Sequence, residues 1–252
     1  MSDATSSGDP AAALRLLWRH RVPATPPRRG PQRGLDVDAV VQAAISIADT
    51  QGLAALSMRR LADRLNIRPM SVYTYVPSRA ELLDLMLDDA YSKMPRPTQD
   101  AASWESRVRA VAGLNLDLHE RHPWTTQLST LRPPLGPGQL GKYDYELSAF
   151  AGSGLDDVTT DDALTYLLGF VRNSALNMQA ARQAADEGQD DAQWWEQAGP
   201  LLSEVVDDNQ YPVAARIGTA AGAAHASAHD PLHAYSFGLE LTMQAIRLLA
   251  ES

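Results

Sequence analysis

Arginine is the residue type best placed to do chemistry in this chain. Eleven of them fall within the first 80 residues, and a guanidinium offers a permanent charge with planar donors matched to phosphate. Six Asp accompany them (Asp3, Asp9, Asp36, Asp38, Asp49, Asp63), leaving that stretch at +5, whereas residues 81–252 carry eleven basic and twenty-five acidic side chains, or −14. The formal total of −9 over 252 residues argues against a nucleic-acid partner, but its distribution says that one end seeks phosphate and the other avoids it. Arg28, Arg29 and Arg33 stand in the segment 23–34, whose four prolines and two glycines preclude a helix and predict an extended, mobile arm.

Other chemistries are weaker. The pairs Asp156–Asp157, Asp161–Asp162, Asp190–Asp191 and Asp207–Asp208 suggest carboxylate–metal work, and His225, His229 and His233 stand four residues apart. Both patterns have simpler readings: the Asp pairs fall at helix starts or loops, where capping and the helix dipole favour them, and Pro231 interrupts any single helix carrying all three imidazoles. No HExxH, phosphate-binding Gly loop, dinucleotide fingerprint or nucleophile elbow occurs, so neither an enzyme nor a cofactor is expected. The lack of Cys removes disulfides, thiolate metal sites and cysteine nucleophiles. No apolar run reaches the length of a signal peptide or a membrane span, which predicts a soluble, cytoplasmic protein without a membrane partner.

Positioning the arginines requires helices. Val37, Val40, Val41, Ala44, Ile45, Ile47 and Ala48 recur at helical spacing from Asp36 up to Gly52. Ser57 can cap a second helix over 58–65, with Leu61, Ala62 and Leu65 on one face, and Asn66 tolerates the left-handed turn after it. A short third helix over 69–75 starts on Pro69 and is closed by Pro77; a fourth follows Ser78 and runs to about Lys93. Three short helices with a four-residue turn between the second and third make a helix-turn-helix pattern. After Pro97 the chain shows helical periodicity without strand alternation, with helices expected near 103–122, 124–131, 140–151, 160–185, 194–206 and 231–249. The predicted fold class is all-α, in four parts: an arm at 1–34, a DNA-binding domain at 35–80, a connecting helix and linker at 81–97, and a larger helical domain at 98–252.

The segment LSMRRLADRLNIRPMSVYTYVPSRAELLD (56–84), with AAISIADTQG (43–52) before it, closely resembles the DNA-binding domain of TetR-family repressors. Asn66 stands where the family usually has Gly, and Arg79 where it usually has Lys; both keep the physical role. The resemblance implies that Ser57, Tyr73, Tyr75 and Arg79 touch the DNA backbone and that Arg59 reaches a base. Arg68, Pro69, Met70, Ser71 and Thr74 would present the recognition surface, with operator DNA as partner. Tyr73 has a competing reading as a core aromatic under the first helix, and Tyr75 a lesser one. Arg28, Arg29 and Arg33, placed just before such a head, are expected to enter the adjacent minor groove.

Arg121-His-Pro-Trp124 and Phe237-Gly-Leu-Glu-Leu241, with Tyr211-Pro212 more weakly, resemble the C-terminal domain of the tetracycline repressor and of actinobacterial antibiotic-efflux repressors. This implies a homodimer in which the helix at 160–185 and the last helix form a four-helix bundle, with Ala234, Phe237, Gly238, Leu241, Ala245 and Leu248 at the contact. It also implies a largely apolar pocket for an unknown small molecule. The candidates are Trp104, His119, His122, Trp124, Tyr143, Tyr166, Phe170, Asn173, Asn177, Trp194 and Trp195, each with a plain core or surface role as the alternative. Phe170, Asn173 and Asn177 share one helical face at i, i+3 and i+7, and of the two indoles one is expected at a pocket and the other outside it. No dedicated metal site is expected, although a divalent ion bound with the ligand through His119 or His122 stays open. The function implied is a repressor of an efflux or secondary-metabolism gene, released by a small molecule; an activator or a regulator without inducer is not distinguished by sequence.

Overall fold

The computed structural model describes residues 3–21, 35–98, 103–188, 191–207, 209–225 and 230–251. Among these, eleven α-helices and no β-strand form, with one isolated bridge between Ala4 and Ser129. The chain divides into two compact units, Met1–Leu168 and Gly169–Ser252. Among the described residues, no helix is long and apolar enough to cross a membrane.

Residues 3–21, expected as the start of a mobile arm, are folded. Helix α1 (Pro10–Leu17) is capped by Asp9 and buries Ala13 and Leu17. Ser6 N–H donates to Asp84 at 2.7 Å, Asp9 N–H to Glu81 at 3.1 Å, Thr5 Oγ1 to the Arg132 carbonyl at 2.7 Å and Trp18 Nε1 to the Leu135 carbonyl at 2.8 Å. Two turns are too short to be stably helical alone; α1 forms because a neighbouring helix supplies a face to pack on. Arg28, Arg29 and Arg33 lie outside the described residues.

Helices α2 (Val37–Gln51), α3 (Met58–Leu65), α4 (Pro69–Val72) and α5 (Arg79–Ser92) follow, started by Asp36, Ser57, Arg68 and Ser78. Asn66 adopts the left-handed conformation (φ 55°) that turns α3 towards α4, and Ile67 N–H closes the turn on the Ala62 carbonyl at 3.0 Å. The third helix is shorter than expected. After Val72 the backbone tightens into three-residue turns, Thr74 N–H to Ser71 and Tyr75 N–H to Val72, because Pro77 disfavours helical geometry at the residue before it. Val40, Ala44, Leu61, Val72, Val76, Leu82 and Met86 are wholly buried where these helices meet.

α6 (Trp104–Arg121) ends at His122-Pro123. The helix expected over 124–131 is instead a 3-10 turn, Pro123–Gln127, in which the Thr125 and Thr126 hydroxyls donate to the carbonyls of His122 and Pro123 at 2.7 and 2.8 Å and compete with helical pairing. α7 (Pro137–Ser148) starts earlier than the apolar pattern suggests because the Asp88 carboxylate accepts from Gln139 N–H at 2.8 Å. α8 (Asp157–Asp186) runs thirty residues and is followed by α9 (Asp191–Val205), α10 (Pro212–His225) and α11 (Pro231–Ala250). α10 was not expected: its Ala- and Gly-rich sequence has good helix formers but no periodic apolar face.

Candidate nucleic-acid interface and effector cavity

The turn at Asn66 and the proline at the start of α4 hold a four-residue helix with one side anchored by Val72 and Val76 and the other side open. Arg68, Pro69, Met70, Tyr73 and Thr74 are all exposed, as are Ser57 and Arg59 at the start of α3. Met70 is 76% exposed, far more than a core-forming methionine would be, and none of the described residues covers it. Ser71 is half-buried and its carbonyl accepts from Thr74 Oγ1 at 2.7 Å. The Ser57 hydroxyl oxygen caps α3 through Arg60 N–H at 3.1 Å, which leaves its O–H free to donate outward.

The two tyrosines divide contrary to expectation. Tyr73 is 42% exposed, whereas Tyr75 packs against the buried cluster, so the core role weighed for Tyr73 falls on its neighbour. Arg79 is also more committed than its sequence position suggests. Its guanidinium donates to the Leu56 carbonyl at 2.5 Å, to Asp3 at 2.6 Å and, at 3.4 Å, to the Leu53 carbonyl, tying the loop between α2 and α3 to α5. Sequence reasoning did not single out Asp3; only the folding of α1 brings it there.

Behind this face, α5 carries a row of buried acids. Glu81, Asp84 and Asp88 accept backbone N–H groups of Asp9, Ser6 and Gln139, so they fasten α1 and α7 to α5. Burial pushes the Asp84 carboxyl up to about 6, with the Glu81 charge adding to it and the Ser6 hydrogen bond opposing, and burial likewise raises Asp88. Asp49 on α2 accepts from Trp124 Nε1 at 2.7 Å and pairs with His122 Nδ1 at 2.8 Å, so these two candidate ligand residues brace α2. Trp124 is wholly buried, and His119 is buried against the Thr125 hydroxyl at 2.7 Å. Trp104 stands half-buried at the start of α6, and Tyr143 donates to Asp161 at 2.7 Å. Tyr166, Asn173 and Asn177 are exposed along α8.

In the second unit, Phe170 stacks on Tyr235 at 5.8 Å, and a Cβ on Gly238 would fall 2.5 Å from the Phe170 ring. Gly238 therefore serves close packing of α8 on α11 within one chain, in addition to the contact between copies expected of it. Phe237, Leu241, Ala245 and Leu248 face outward and Ala234 is half-buried. Between α9 and α10 lies a cavity of about 630 Å³, lined by Trp195, Glu196, Tyr211 and Thr219 among others. Trp195 is on its wall, while Trp194, tilted against it at 6.2 Å, is exposed. His225 at the end of α10 and His233 in α11 bring their rings to 4.5 Å, but among the described residues no three His, Asp or Glu side chains converge as a metal site would require.

The family model described as "Tetracyclin repressor-like, C-terminal domain" matches residues 96–248. The HTH-type transcriptional repressor DrrR1 of Streptomyces coeruleorubidus is 37% identical over 225 residues, 86% of this chain and 80% of that protein. An HTH-type transcriptional regulator of Saccharopolyspora erythraea is 36% identical over 121 residues, 48% of this chain and 51% of that one. Among solved structures, the Streptomyces coelicolor TetR family protein ActR in complex with actinorhodin is similar at a TM-score of 0.71 and 25% identity, covering 87% of this chain and 100% of that one.

Proposed function

We propose, from the premise that this chain belongs to the TetR family of transcriptional regulators, that it is a homodimeric repressor whose paired heads bind a palindromic operator and are released by a small, largely apolar molecule. Its relatives are regulators of transcription and not enzymes. The observation that carries the reading is the open face of α3 and α4, where Arg59, Arg68, Pro69, Met70, Tyr73 and Thr74 are exposed above a tightly packed interior. Arginine suits guanine O6 and N7, and Met70 with the Pro69 ring suits a thymine methyl group. Ser57, Tyr73, Tyr75 and Arg79 would hold the backbone, Ser71 would lie at the edge of the recognition surface, and Arg28, Arg29 and Arg33 would reach the minor groove. On this reading residues 35–80 read DNA, residues 81–97 connect, and residues 98–252 bind ligand and dimerise.

Dimerisation is supported by the apolar outward face of α11 and required by the small number of bases one recognition helix can reach. Release by a small molecule is supported by the complex of ActR with actinorhodin, and an efflux or secondary-metabolism gene is the target we propose. A ligand can do this only by binding the DNA-incompetent arrangement more tightly than the competent one. DNase footprinting of the purified chain on the DNA flanking its own gene tests the proposal. Two protected half-sites with centres about 34–36 Å apart are expected. Arg68→Ala and Met70→Ala should lose that protection without a change in melting temperature; protection that ignores both substitutions would sink the reading.

A further inference from the structure

We propose that the cavity between α9 and α10 binds a flat aromatic cation, a proposal that names the ligand class for the ligand-responsive reading above and rests on that reading only for the release of DNA. Its volume of about 630 Å³ suits a drug-sized molecule, since small-molecule sites run from about 300 to 1,000 Å³. The shape of the wall favours a flat occupant. Trp195 and Tyr211 supply aromatic surface, while Gly218 leaves helix surface open, with nothing within 4 Å of a Cβ there. The indole is held in place: a Cβ on Gly222 would stand 3.0 Å from the Trp195 ring and one on Gly199 would stand 3.5 Å from it. A ring fixed in this way presents a π surface at little further cost in side-chain entropy.

Charge decides which flat molecule. Among the described residues, Glu196 is the one charged side chain on the wall. In sequence, residues 191–225 carry Asp191, Glu196, Glu204, Asp207 and Asp208 against Arg216, an excess of four negative charges. An anion entering this cavity would shed water beside a carboxylate, whereas a cation gains that carboxylate and the indole face together. Thr219 adds a hydroxyl that can accept or donate at the ligand's edge, and Ser203 points its own O–H back to the Gly199 carbonyl at 3.0 Å, leaving lone pairs to accept. The cavity differs from the family-implied face at Phe170, Asn173 and Asn177, none of which lines it.

Two flat tricyclic dyes of opposite charge provide the test: pyronin Y, a cation, and resorufin, an anion, each titrated against the purified full chain by fluorescence anisotropy. Pyronin Y should bind at least tenfold more tightly than resorufin. Glu196→Gln should weaken pyronin Y by about fivefold to tenfold and narrow the difference between the dyes. Gly218→Leu places a side chain in open space, since nothing lies within 4 Å of a Cβ there, and should block the dye with the fold and the mass unchanged. Equal binding of both dyes, or dye binding indifferent to Gly218→Leu, overturns the proposal. So does a Gly218→Leu chain that loses its dimeric mass, because a second copy would then be the occupant. If pyronin Y binds with the expected Glu196 dependence but leaves a labelled operator bound, the site stands and the inducer reading falls.

Discussion

Helices α5 and α11 bury opposite amounts of themselves, and against their composition. α5 carries Arg79, Glu81, Asp84, Asp88 and Asp89, yet ten of its fourteen residues are buried, three of them acids. α11 is much more apolar, yet of its twenty residues only Thr242, Met243 and Ile246 are buried, while Phe237, Leu241 and Leu248 are 59%, 50% and 68% exposed. The difference lies in what surrounds each helix. α5 is enclosed by α1, α2 and α7, and its acids accept N–H groups from Ser6 and Asp9 just before α1 and from Gln139 in α7. α11 has one face on its own chain and the other uncovered. Apolar composition thus shows that a helix wants a partner, not that its own chain supplies it, and an exposed apolar stripe of this length marks an interface.

The most direct way to break the comparison is to make the outer face of α11 unfit for a partner. In Leu241→Glu the new carboxylate lies in solvent in the single chain but would be stranded between two copies in a dimer. If the proposed homodimer forms through this face, light scattering should report two copies for the native chain and one for the variant, and operator affinity should fall by about 100-fold or more, as for truncation of an interface hot spot. Folding should survive, read as an unchanged helical circular-dichroism signal. A dimer that persists in this variant would show that copies meet elsewhere.

The same contrast can be sharpened within the resulting monomer. Leu87 on α5 is wholly buried, so Leu87→Ala should cost about 2–5 kcal/mol of unfolding free energy in urea denaturation. Leu248→Ala on α11, in the Leu241→Glu background, should cost no more than about 0.5 kcal/mol. If the two losses are similar, the outer face of α11 is packed within one chain after all.

How much of this was legible in the sequence depends on how local the signal is. α3, the left-handed turn at Asn66 and the start of α4 at Pro69 rest on caps and breakers that act within a few residues, and the structure has them where the sequence places them. The ends of α11 are equally local, Asp230 capping one and the apolar pattern running to the other. What was missed depends on distant neighbours. α1 becomes helical on a face that α5 provides, and α10 has no face of its own to announce it. Tyr73 and Tyr75 could not be sorted by spacing, because the helix they were assigned to tightens after Val72 and rotates the later side chain inward. The ligand candidates were scattered for a similar reason: a residue type at helical spacing names a face, but not what covers it. Spacing did not announce that Trp124 donates to Asp49 or that Phe170 stacks on Tyr235.

Asp84 tests why α5 can bury acids at all. Asp84 Oδ1 accepts from Ser6 N–H, but Oδ2 is buried without a hydrogen-bond partner, so the oxygen with no donor is the one suited to hold a proton. Its carboxyl is raised from 3.8 to about 6 chiefly by burial, with the Glu81 charge adding to the rise. A carboxyl raised on folding favours the folded state when protonated: its contribution is fully present below about pH 4 and is lost as pH rises through about 6. Asp84→Asn keeps the acceptor for Ser6 and removes the charge. Its effect on unfolding free energy should therefore be more favourable at pH 8 than at pH 4 by about 2–3 kcal/mol, the free-energy equivalent of the shift. Comparing the variant with the native chain at each pH cancels the titration of the other acids, provided they do not couple to this one; repeating the comparison in Glu81→Gln measures that coupling. An effect of Asp84→Asn that is the same at both pH values would mean that the α5 acids are solvated, and that the burial separating α5 from α11 is shallower than their packing indicates.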